Sequence, residues 1–65
     1  MSIKQGDCLE TDDKRKVIVL DVDIENKTFS GSFITKVNKG ISIINIWTFG
    51  GNNLSGFKEL NINFN

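Results

Sequence analysis

The stretch from Lys16 to Glu25, KVIVLDVDIE, constrains this chain more than any other. Its even positions Ile18, Leu20, Val22 and Ile24 are apolar, while its odd positions pass from Val17 and Val19 to Asp21, Asp23 and Glu25. Alternation with a period of two marks a β-strand with one buried face, because successive side chains leave a strand on opposite sides. On that reading the even set faces a core, and Val17 and Val19 add apolar surface to the other side. A one-residue bulge would exchange the two faces.

The other segments follow the same grammar. Gly6 to Thr11 reads as a first strand with Leu9 inward, followed by a polar loop through Arg15. Asn26-Lys27 marks a hairpin turn into a third strand, Thr28 to Val37, where Gly31 between Phe29 and Phe33 suggests a bend or bulge. Asn38-Lys39-Gly40 is the next turn, and Ile41 to Phe49 the fourth strand. Ser55 to Glu59 reads as one tight 3₁₀ turn before a fifth strand, Leu60 to Phe64. Helical spacing is nowhere sustained, and proline is absent, so glycine and asparagine do the punctuating. The expected fold is all-β, a small five-stranded barrel or a strongly bent antiparallel meander over residues 1–65. Closure suits a chain this short, because it hides strand edges.

Two segments carry a resemblance. Gly6-Asp7-Cys8-Leu9 is similar to the Gly-Asp-x-apolar first strand of SH3-like small barrels. Gly56-Phe57-Lys58-Glu59-Leu60-Asn61-Ile62 is similar to the 3₁₀ turn that leads into their last strand. The acidic and aromatic peptide-groove pattern of signalling SH3 domains is missing here. The resemblance therefore implies a scaffold, and scaffolds of this kind carry unrelated functions.

A 65-residue domain has a thin stability margin and needs a staple, an interface or unusually good packing. Cys8 is the only cysteine and there is no histidine, so neither a disulfide within the chain nor a structural zinc site is expected. Eight basic and eight acidic residues give a formal net charge of zero, unlike a dedicated nucleic-acid binder or a polybasic membrane-surface protein. No apolar run is long enough to span a bilayer, and the opening Met1–Gly6 has no signal-peptide core. A cytoplasmic protein with a reduced Cys8 is expected. Lysine outnumbers arginine 7 to 1, and isoleucine and asparagine are abundant, as in AT-rich genes of low-GC bacteria and their phages.

Catalytic chemistry finds little footing. Histidine, the commonest general base, is absent, and Cys8 has no partner to activate it. No enzyme activity and no cofactor are expected. Asp21, Asp23 and Glu25 project from one strand face at intervals of about 7 Å, a spacing that admits a hydrated cation. They fail the calcium-loop template and read as a solvated face, so no metal site is assigned. Lys14-Arg15-Lys16 follows Asp12-Asp13, which nearly cancels its charge. Gly50-Gly51 lacks the lysine and helix of a phosphate loop.

The most informative feature is an excess of apolar residues. The fourth strand is apolar on both parities, with Ile41, Ile43, Trp47 and Phe49 on one and Ile44 and Ile46 on the other. One small core cannot absorb both faces unless strand bends reverse the parity. The expected function is a non-catalytic interaction module that binds a protein partner or itself through Val17, Val19, Ile44 and Ile46. The alternative is nucleic-acid or nucleotide binding by stacking on Trp47, with Lys36, Lys39 and Lys58 near the phosphates; zero net charge counts against it. A further alternative is a small phage or mobile-element protein that inhibits a host enzyme.

Overall fold

Runs of alternating side chains become the strands of one antiparallel sheet. The computed structural model describes residues 2–34 and 44–64. Its strands are β1 (Cys8–Thr11), β2 (Lys16–Asp23), β3 (Thr28–Ile34), β4 (Ile44–Thr48) and β5 (Ile62–Asn63). The sheet order is β4-β3-β2-β1-β5, and it curls into a half-barrel. A 3₁₀ turn, Lys58–Leu60, precedes β5 where the SH3-like resemblance implied one. The proposed turn at Asn38-Lys39-Gly40 and the start of the predicted fourth strand lie outside the described residues.

The side-chain pattern of β2 departs from the simple alternation. Val17 and Val19 are fully buried, whereas Ile18, Leu20 and Ile24 are exposed. The cause is a bulge. Val19 pairs with Gly31 and Asp21 pairs with Ser30, so Leu20 is an extra residue with no partner opposite. Before the bulge the odd residues point inward, and after it the even residue Val22 does. Thus the assignment of Val17 and Val19 to an outward apolar face is corrected: both are core. The bulge lies just past the end of the β1 pairing, although Val19 still exchanges hydrogen bonds with Gly6 and Asp7 beyond that end. Bulges of this kind bend a strand and sharpen its twist, as a curling sheet requires.

The core is built around Trp47. Its ring stacks on Phe29 at 5.6 Å and meets Phe33 edge-on at 6.0 Å. Gly31, between those two phenylalanines, leaves the notch that the indole fills. A Cβ there would lie 2.6 Å from Val17 Cγ1, 2.9 Å from the Ile18 carbonyl oxygen and 3.1 Å from Trp47 Cζ3. The glycine signals close approach, and the bulge lies across from it in β2. The indole N–H donates to the Leu60 carbonyl at 2.6 Å, so the core aromatic also ties down the 3₁₀ turn.

Closure toward β5 uses few bonds. β5 pairs with β1 through Glu10–Asn63 and Thr11–Ile62. On its other side the Ile62 N–H donates to the Gly51 carbonyl at 2.7 Å. Gly51 holds φ +91°, and a Cβ there would lie 2.8 Å from Phe64 Cε2 and 2.9 Å from the Ile62 carbonyl oxygen, so no other residue fits without movement.

Candidate interaction surface

Pairing register decides which side chains share the outer face, because residues directly opposite in a sheet point the same way. One outer row runs Cys8, Ile18, Ser32, Ile44 across β1 to β4. The row on one side of it holds Glu10, Lys16 and Ile34. The row on the other side holds Asp21, Ser30 and Ile46, and beyond that lie Asp23, Thr28 and Thr48. The outer face is therefore an apolar centre with Lys16 and Glu10 at one end and Asp21 and Asp23 at the other.

The apolar centre is substantial. Ile18, Leu20, Ile46, Ile34 and Ile44 are 36%, 38%, 47%, 52% and 60% exposed. Ser32, between Ile18 and Ile44, is only 8% exposed although it lies on the outer side of the sheet. The register places it directly between Ile18 and Ile44, with Ile34 and Ile46 in the rows to either side, so the isoleucines lie on neighbouring positions of one face. Next to Ile46 the face opens into a cleft of about 170 Å³ walled by Asp21, Asp23, Thr28, Ser30 and Ile46. A second opening, of about 260 Å³, lies between Ile3, Val22, Ile24 and Phe49, whose partly buried members continue the core.

The charged ends differ in character. Lys16 Nζ donates to Glu10 Oε2 at 2.8 Å across β1 and β2, yet both side chains stay well exposed. That bond, and then the lysine's charge, lowers the Glu10 pKa, and the same contacts raise that of Lys16. Asp23 accepts from the Asn26 side-chain amide at 2.7 Å and from its backbone N–H at 3.1 Å, which closes the β2–β3 turn. These bonds, the side-chain one foremost, hold the Asp23 carboxyl below its ordinary range.

Against this surface the sequence-predicted site residues divide. Ile44 and Ile46 stand exposed on the outer face; Val17 and Val19 do not reach it. Ile18, Leu20 and Ile34, which replace them, are apolar in the sequence but fall on the outer parity only once the bulge is known. Trp47 is fully buried, so it offers no ring face for a base, and the nucleic-acid alternative loses its anchor. Lys58 begins the 3₁₀ turn beside the exposed Phe57, while Lys36 and Lys39 lie outside the described residues. Among the described residues no helix is long and apolar enough to cross a membrane.

Comparison with protein-family models, curated proteins and solved structures returned no match.

Proposed function

We propose that this protein is a non-catalytic interaction module whose outer sheet face binds another protein surface, either a partner's or its own. The observation that carries the reading is the contiguous patch of Ile18, Leu20, Ile34, Ile44 and Ile46 on one side of the sheet. Contiguous exposed apolar surface on a small domain marks a site of association. Together the five side chains expose about the area of two whole ones, and burying it is worth roughly 3–7 kcal/mol. That is comparable with the total stability, about 3–10 kcal/mol, that a domain of this length holds. A partner from another chain, a host enzyme included, would use the same face.

The test compares the natural protein with an Ile18→Lys, Ile46→Lys variant. Light scattering reads mass, and fluorescence of anilinonaphthalene sulfonate reads free apolar surface. The natural protein should either exceed the 7.3 kDa of one chain or brighten the dye, and the variant should do neither. A natural protein that is monomeric and leaves the dye dark would refute the proposal.

A further inference from the structure

The outer face carries a charge pattern that suits its own copy. Lys16 and Asp21 stand one row to either side of the row that contains Ile18, because the bulge makes their five-residue separation equivalent to four. Face-to-face pairing of two copies about a two-fold axis has two simple forms. An axis along the strands sets Lys16 against the copy's Lys16 and the acidic end against itself. An axis across the strands, along the row Cys8–Ile18–Ser32–Ile44, sets Lys16 against the copy's Asp21 and each residue of that row against its own counterpart. Two-fold interfaces demand this kind of self-complementarity.

We infer that the protein forms a face-to-face dimer about the axis across the strands, with Lys16 of each copy entering the acidic cleft of the other. The inference rests on the proposed binding role of this face and names its occupant. The cleft of about 170 Å³ is lined by Asp21, Asp23, Thr28 and Ser30 together with Phe29 and Ile46. An ammonium on a methylene stem matches those walls: three donors for the oxygens, and a stem for the isoleucine. Lys16 uses one donor on Glu10 and keeps its side chain 58% exposed, so two donors remain for the copy. Zero net charge removes the long-range repulsion that would keep copies apart. The isoleucines of the central row then bury against one another, and Cys8 faces its counterpart with the two backbones near the sheet-packing distance of about 10 Å and the thiols closer than that.

A charge swap tests the geometry. Lys16→Glu and Asp21→Lys each set two like-charge pairs across the symmetric interface. Each variant alone should dissociate at a concentration roughly tenfold or more above that of the natural dimer. An equimolar mixture should recover a heterodimer, because one interface pair is reversed and the other is native. Blue-shifted Trp47 emission verifies folding. Should Lys16→Glu unfold beside Glu10, adding Glu10→Lys keeps the intrachain pair. A short bismaleimide should also join the two Cys8 thiols of the natural dimer but not of either single variant at matched dilution. A mixture that stays monomeric, or a natural protein that is monomeric at every concentration, overturns the dimer. In those cases dye binding that vanishes in the Ile18→Lys, Ile46→Lys protein still upholds the outer face as a binding surface. Loss of both signals sinks the two together.

Discussion

Gly31→Ala is the substitution for which the structure makes the sharpest demand. A methyl group at this position would sit 2.6 Å from Val17 Cγ1 and 3.1 Å from Trp47 Cζ3, which side-chain adjustment could relieve in part. It would also sit 2.9 Å from the Ile18 carbonyl oxygen, which belongs to the neighbouring strand and cannot move without disturbing the sheet. Overpacking of this kind costs about 1–3 kcal/mol. Removing a strand glycine returns roughly 0.5–1 kcal/mol of backbone entropy. The net expectation is a loss of about 1–2 kcal/mol, which lowers a urea midpoint by about 1–2 M at the small slope of a short chain. Trp47 is the only tryptophan and is buried, so its emission follows the transition directly. Gly50→Ala serves as control, because the nearest atom to its added Cβ is Thr48 Oγ1 at 3.8 Å and its midpoint should hardly move. Val17→Ala made in the Gly31→Ala background should cost less than in the natural protein, since it removes the closest clash. A Gly31→Ala midpoint equal to or above that of the natural protein would mean that the indole does not fill the notch as described.

Two further outcomes follow from the register and the turn. Val19→Ser should destabilise by at least about 2 kcal/mol, while its neighbour Ile18→Ser, which is partly exposed, should cost less, roughly 1 kcal/mol in dilute protein; the reverse order in urea melts would place the bulge elsewhere. Asp23 has a folded pKa below its unfolded value, so its contribution is present above the unfolded carboxylate range and is lost as pH falls through the folded pKa. Asn26→Ala removes the foremost cause and should therefore flatten the fall in stability on acidification, and an unchanged acid limb in urea melts taken from neutral to pH 2 would show that the turn bond does not act on folding.

Much of the architecture was legible because β-branched alternation and Gly/Asn punctuation act locally. Five strands, the antiparallel succession of the first four and a 3₁₀ turn before the last all lie close to their predicted places, and β5 adds to the sheet beside β1. Strand ends were read too generously. β2 stops at Asp23, not Glu25, because Asp23 turns its carboxylate onto Asn26 and starts the turn early. The outer face of β2 was misassigned for a different reason. In Val17-Ile18-Val19-Leu20 both parities are apolar, so hydrophobicity alone cannot choose a side. The polar residues do choose. Lys16 and Asp21 both need solvent, and they lie five positions apart, an odd spacing that a regular strand cannot reconcile with one outward face. Gly31 held a second clue, since a strand glycine often marks close approach, yet the bulge fell on the strand opposite it. Trp47 lies in the middle of an apolar strand, where aromatics are usually buried, so its place in the core was legible; its hydrogen bond was not, because the Leu60 carbonyl that receives its N–H lies thirteen residues along the chain.

The Leu20 bulge carries a consequence for how this chain can change over generations. Deleting Leu20 would leave KVIVDVDIE, in which every polar residue falls on one parity and Ile18 is the single apolar exception there. By any test of pattern that shorter strand is the better one. It would also be straighter, with nothing to bend β2 where β1 departs and the sheet begins to curl. Loss of a single codon would thus improve the strand while flattening the barrel. The length of β2 is consequently under a constraint that its composition does not reveal, and a comparison of variants should find substitutions tolerated at residue 20 far more readily than its removal.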